Sequence, residues 1–182
     1  MDIQSTYQQA IKFAAAKHTE KNQLIPGSNL PYVVHLSNVA MEIFIAYQNL
    51  PDFKLDFAVT LALLHDTLED TSTTFSDLSK EFGIDVARGV SALTKNKDLP
   101  KQIRMADSLN RIMVLPKEVG AVKLADRITN LQKPPDTWDT PKKEKYRIEA
   151  IQILQALKGS NSYLEKRLSE KITEYEKYIK EK

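Results

Sequence analysis

The amino-acid sequence predicts an all-α protein, a single domain built as a bundle of about eight to ten helices. Three observations carry that expectation. Apolar residues recur at helical spacing through most of the chain, strand-like alternation is scarce, and clusters of proline, glycine and asparagine separate the periodic segments. At 182 residues the chain is long enough for one well-buried core and short for two domains. The domain is therefore expected to span residues 1–182, with 160–182 a C-terminal helix.

In chain order, Tyr7, Ala10, Ile11 and Ala14 predict an amphipathic helix from Thr6 to Lys17, with His18 a helix-end residue. The stretch KNQLIPGSNLP that follows is a loop by composition and delivers the chain to His35. His35 opens a second helix, marked by Leu36, Val39, Ala40, Ile43, Phe44 and Tyr47, with Pro51 beyond its end. A third helix is expected from Leu55 to Glu69, then a turn over Thr71 to Thr74. Two shorter helices, Phe75 to Phe82 and Ile84 to Leu93, are separated by Gly83. TKNKDLPK breaks the periodicity before a helix through Ile103, Leu109, Ile112 and Met113. Glu118 to Gln132 carries the buried stripe Val119, Val122, Ala125, Ile128 and Leu131, and Pro134 and Pro135 end it. Asp139 or Thr140 caps the next helix, with Pro141 in its first turn and a core face of Tyr146, Ile148, Ile151, Leu154 and Leu157. The last helix begins near Ser162, where Glu165 completes a capping box, and carries Leu164, Leu168, Ile172, Tyr175 and Ile179.

Chemistry concentrates in one stretch of the third helix, LALLHDTLEDT from Leu61 to Thr71. Burying a carboxylate or imidazole beside Leu61, Leu63 and Leu64 is costly unless a metal, a proton or a partner compensates it. On a continuous helix His65 lies above Glu69 and Asp66 above Asp70, in two polar rows about 100° apart. A His-Asp pair alone more often caps a helix or pairs with itself. Here a second histidine, His35, follows the apolar PYVV run, and Asp126 sits in VKLADRITNL with Asn130 one turn on. A lone Asp126 would pair with Lys123 or Arg127; two histidines and two aspartates together make a ligand set.

Composition narrows the chemistry. The chain has no cysteine, which removes disulfides and thiolate metal sites and leaves nitrogen and oxygen ligands. A formal charge of +2 is too small for a nucleic-acid surface, although Lys95, Lys97 and Lys101 form a local cluster suited to small phosphorylated ligands. No apolar run is long enough to span a membrane and Met1 to Ala10 carries no leader pattern, so no membrane association and a cytoplasmic location are expected. Only five glycines are present and none forms a phosphate loop.

The ordered set His35, His65-Asp66 and Asp126 resembles the HD superfamily of metal-dependent phosphohydrolases. PYVVH, ALLHDTLEDT, the Phe82-Gly83 pair, ALTK and VKLADRITNL resemble successive motifs of the hydrolase domain of RelA/SpoT proteins and of stand-alone small alarmone hydrolases, from about Ala14 to Leu131. The resemblance implies that His35, His65, Asp66 and Asp126 bind one divalent ion, commonly manganese, and that Glu69 and Asp70 position or activate the attacking water. It implies a contact of Asn130 with the nucleotide sugar, and looser nucleotide and phosphate contacts for Lys97, Lys142 and Tyr146. The implied reaction removes pyrophosphate from the 3′ position of guanosine tetra- or pentaphosphate. The implied partner is a small nucleotide, with a homo-oligomer open through the last helix.

One departure stands out. Family members usually carry an Arg-Lys pair shortly before the PY..H motif, the arginine stacking on the base; here Gln23, Leu24 and Ile25 supply no guanidinium. Three rivals therefore stay open: an HD phosphohydrolase of another nucleotide or phosphate ester, a non-catalytic nucleotide-binding module, and a structural helical protein whose polar residues are satisfied ion pairs.

Overall fold

The computed structural model describes residues 2–180. Ten helices follow one another: α1 (Ile3–Glu20), α2 (Val33–Asn49), α3 (Leu55–Leu64), α4 (Thr67–Asp70), α5 (Phe75–Phe82), α6 (Ile84–Leu93), α7 (Arg104–Met113), α8 (Lys117–Asn130), α9 (Thr140–Ala156) and α10 (Ser162–Lys180). Among the described residues the one β-type pairing is an isolated bridge between Leu24 and Pro31. The fold is all-α, as the periodicity predicts. No described helix is long and apolar enough to cross a membrane.

The helix α3 is the hub. Every residue from Ala58 to Leu64 is buried, so it is apolar on all sides, which suits a helix enclosed by others. It packs against α1, α2, α6 and α8. Its one polar core residue, Thr60, turns its hydroxyl back to Asp56 O at 2.8 Å. Gly89 lets α6 approach: a Cβ there would lie 2.6 Å from Leu61 Cδ2. The first turn of α3 has no side-chain cap of its own. Instead buried Glu118, from the first turn of α8, accepts from Lys54 N at 2.8 Å.

Three expectations need correction, the simplest being Ile148, expected on the core face of α9 but 53% exposed because it lies two positions from both Tyr146 and Ala150 on the helix. The helix expected from Leu55 to Glu69 is interrupted at His65 and Asp66, dividing it into α3 and the one-turn α4. His65 Nδ1 bonds Ala62 O at 2.8 Å and Thr67 Oγ1 bonds Leu64 O at 2.7 Å, so side chains occupy carbonyls that a continuing helix would use. The capping box expected at Ser162 is centred on Asn161, whose Oδ1 accepts from Leu164 N at 3.0 Å while Glu165 Oε1 accepts from Gly159 N and Asn161 N. The expected span of the last helix also includes residues 181 and 182, which lie outside the described residues.

Removing the cap from α8 tests how firmly α3 is anchored. Glu118→Ala should lower stability by about 1–2 kcal/mol, read as a lower urea midpoint with an unchanged slope. An unchanged midpoint would mean that Lys54 N finds another acceptor at no cost.

Candidate metal centre

Three helices bring the ligand candidates together. His35 sits in the first turn of α2, His65 just past the end of α3, and Asp126 late in α8. All three are buried, and one ligand atom from each lies within 4.8 Å of the others. Their Nε2 atoms are 3.4 Å apart, and Asp126 Oδ1 lies 3.4 Å from His35 Nε2 and 3.7 Å from His65 Nε2. Asp66 joins from the helix break, with Oδ2 at 3.0 Å from His65 Nε2 and 3.9 Å from His35 Nε2.

A tautomer argument shows what the cluster lacks. The Ala62 carbonyl can only accept, so His65 Nδ1 carries the hydrogen in that 2.8 Å bond, and a neutral ring then aims a lone pair from Nε2 at carboxylate oxygens. Four acceptors meeting in a buried space require a cation. Without a metal a proton fills the role: burial pushes the His65 imidazolium down, but the Asp66 and Asp126 carboxylates outweigh it and hold the ring well above its usual 6.5. Burial likewise opposes ionisation of Asp126, yet Lys123 and the two histidines hold its carboxyl well below the usual range. Asp66 is lowered in the same way against its burial, with His65 the principal cause. The residues fit a divalent ion held by nitrogen and oxygen.

Further side chains orient the acceptors. Lys123 Nζ reaches Asp126 Oδ2 at 3.2 Å and Asn130 Nδ2 donates to Oδ1 at 2.5 Å. The Tyr32 hydroxyl donates to Asp66 Oδ2. His18 is no simple helix-end residue: it is buried, its ring lies 4.8 Å from that of Tyr32, and its Nδ1 meets Gln23 Oε1 at 2.6 Å. Gln23 Nε2 then donates to Asp70 Oδ2 at 2.9 Å. Tyr32 precedes His35 by three positions and Lys123 precedes Asp126 by three, so helical spacing signals both. Nothing local in the sequence signals the Gln23 bridge.

Four of the remaining candidates line two cavities, Asn130 and Tyr146 one and Glu69 and Lys97 the other, while Asp70 and Lys142 line neither. One, of about 330 Å³, is lined by His35, Asn38, Asn130, Trp138 and Tyr146, with Ile25 and Leu30 of the loop before α2. The other, of about 460 Å³, holds Glu69, Lys95, Lys97 and Arg111. There Lys95 N donates to Glu69 Oε2 at 3.1 Å and Lys97 Nζ to the Glu69 carbonyl at 2.7 Å. Lys142 packs behind the cavity wall, its Nζ 4.3 Å from the centroid of the Trp138 ring, which lines the first cavity and meets Tyr146 edge-on at 5.1 Å. A third cleft, at Lys54, Arg88 and Pro116, lies at the opposite end of α3 and touches none of these side chains.

Comparison with known proteins finds relatives along most of the chain. An HD domain family matches residues 10–160. The guanosine-3′,5′-bis(diphosphate) 3′-pyrophosphohydrolase MESH1 of Danio rerio is 33% identical over 166 residues, 89% of each chain. The Homo sapiens protein of that name is 33% identical over 164 residues, 88% of this chain and 89% of that one. A longer pyrophosphohydrolase of Aquifex aeolicus is 33% identical over 129 residues, 69% of this chain and 17% of its own. A solved structure described as a metazoan ortholog of SpoT that hydrolyzes ppGpp superposes with a TM-score of 0.79 at 29% identity, covering 93% of this chain and 94% of that one.

The proton that stands in for the metal sets a pH dependence. His65 is held above its unfolded value, so its contribution to stability is complete below about pH 6.5 and is lost as pH rises through the folded value. Asp66 and Asp126 are held below theirs, so their contribution is present at neutral pH and is lost only in acid. In chelator, the thermal midpoint should therefore fall as pH rises above about 6.5, and added manganese should reverse the fall by replacing the proton. A midpoint in chelator that stays flat through alkaline pH would count against the protonated cluster.

Proposed function

The chain belongs to the HD domain family, and from that premise we propose that it is a divalent-metal-dependent hydrolase that removes pyrophosphate from the 3′ position of guanosine tetra- or pentaphosphate, leaving GDP or GTP. One observation carries the reading: four acceptors, His35, His65, Asp66 and Asp126, converge beside a nucleoside-sized cavity, in a chain matched along most of its length by pyrophosphohydrolases of that nucleotide. The whole chain, 1–182, acts as one domain in the cytoplasm, and manganese is the native ion.

A divalent ion bound by these four residues neutralises phosphate charge and acidifies water. The rest of the chemistry falls to the chain's own groups. Glu69 and Asp70 take the proton of the attacking water, and each is already oriented, Glu69 by Lys95 N and Asp70 by Gln23. The water oxygen bonds to the phosphorus on the 3′ oxygen, that P–O bond breaks to release pyrophosphate, and the proton taken from the water is passed to the 3′ oxygen, which leaves as the hydroxyl of the product. Asn130 contacts the sugar and Tyr146 the nucleoside from the wall of the first cavity. Lys97 and Lys142 meet the phosphates from either side, which lets a nucleotide with phosphates at both 3′ and 5′ positions span the two cavities.

Gln23, Leu24 and Ile25 favour one second reading, the same reaction on a different base. The test is pyrophosphate release from guanosine tetraphosphate, and in parallel from its adenosine counterpart, by metal-stripped protein resupplied with manganese. Release should depend on manganese, and Glu69→Gln should keep the metal in calorimetry while slowing turnover roughly 10²–10⁴-fold. Bound manganese with no release from either nucleotide would sink the assignment.

A further inference from the structure

Buried polar atoms without a hydrogen-bond partner are few among the described residues, and four of the five belong to three residues of α8 and α10: Arg127 Nε and Nη1, Thr129 Oγ1 and the Tyr175 hydroxyl. Proteins pair roughly nine in ten such groups, so a concentration of unpaired ones asks for an explanation. Thr129 and Tyr175 both line the 330 Å³ cavity beside His35. Arg127 lies behind its wall, the guanidinium 4.3 Å from the centroid of the Tyr146 ring, with Glu149 as an ion-pair partner at 3.6 Å. Tyr175 comes from α10 and is 1% exposed.

These groups agree on a polarity. A guanidinium can only donate. Its charge acts on the Tyr175 hydroxyl, where it favours a lone pair turned towards the guanidinium and a hydrogen turned away from it. Burial raises the Tyr175 hydroxyl's pKa against the pull of Arg127, and Tyr146 is pushed up to about 12, so both phenols remain protonated donors. The cavity's inner end thus offers donors to whatever enters it, between apolar and aromatic walls.

We propose that this inner end is the base subsite, where Tyr175 and Thr129 donate to the acceptor edge of a 6-oxopurine and thereby select guanine over adenine. The proposal rests on the hydrolase reading above. It also locates base selection away from the loop before α2, which lacks a guanidinium. A 6-aminopurine presents an amino donor where a 6-oxopurine presents a carbonyl, and donor against donor leaves both unpaired.

The experiment pairs two measurements on manganese-loaded protein, calorimetric binding of GDP and ADP, and kcat/KM for guanosine tetraphosphate and its adenosine counterpart. Wild type should prefer guanine in both by about tenfold or more. Tyr175→Phe keeps the ring and loses the hydroxyl; it should weaken GDP binding and raise KM for the guanosine substrate by about tenfold, the worth of one hydrogen bond. ADP binding and manganese affinity should stay unchanged. Thr129→Val should shift the same preference in the same direction. Equal binding of GDP and ADP by wild type, or a Tyr175→Phe variant that keeps the guanine preference, overturns the base assignment while turnover of guanosine tetraphosphate leaves the hydrolase reading standing. Absence of both turnover and nucleotide binding overturns the two together.

Discussion

The convergence of two imidazole lone pairs and two carboxylates in a buried space is the constraint that the surrounding structure answers. Desolvating such groups is costly, and their mutual repulsion adds to the cost, so the arrangement persists only where a cation and a set of donors balance it. The chain supplies the donors itself. Lys123 and Asn130 occupy separate oxygens of Asp126, and Tyr32 occupies Asp66 Oδ2. What they leave unpaired is the inner face of the cluster, where the histidine nitrogens point. The proton on His65 and a divalent ion are alternative occupants of that face, so metal binding and proton release are coupled.

Holding this cluster together explains the position of α3. A helix buried on every side cannot rotate to expose a polar row, so its end is a fixed point. The helix break immediately after Leu64 then turns chemistry outward. Thr67 and His65 satisfy the last carbonyls with side chains, α4 starts a new turn, and Glu69 and Asp70 are held by groups from elsewhere, Lys95 N and Gln23. The rigid element ends at the candidate ligands His65 and Asp66, and the short element beyond it carries Glu69 and Asp70, the carboxylates proposed for proton transfer. An unbroken helix would tie both sets to one axis.

That division also marks what the sequence made legible. The helices were readable because a buried stripe is a period, and a period survives in one dimension; α5, α6 and the α8 stripe fall where the spacing puts them. The clustering of His35, His65, Asp66 and Asp126 was suggested by side chains that are chemically out of place in apolar runs. The break after Leu64 was not, since it depends on side-chain bonds to backbone carbonyls within a perfectly helical pattern of residues. Nor was the His18–Gln23–Asp70 bridge, whose partners come from α1, the segment just after it and α4, far apart in sequence. The cap at Asn161 rather than Ser162 is a smaller case of the same kind, decided by which side chain reaches Leu164 N.

The last helix shows how one set of contacts holds the fold together and fixes the wall of the cavity beside His35. Arg147 from α9 bonds Ile172 O at 3.2 Å and pairs with Glu176, bracketing Tyr175 on both sides in sequence. Arg167 grips Glu42 of α2 through two bonds of 2.6 Å. The helix bearing Tyr175 is therefore fastened to α9, which bears Tyr146, and to α2, which bears His35. Tyr175, Tyr146 and His35, all lining one cavity and placed by one frame, keep their distances without help from a ligand, so a nucleotide bound as proposed would leave little ordering to be done. A loop that supplied the base contact would have to be ordered each time; α10 is already in place.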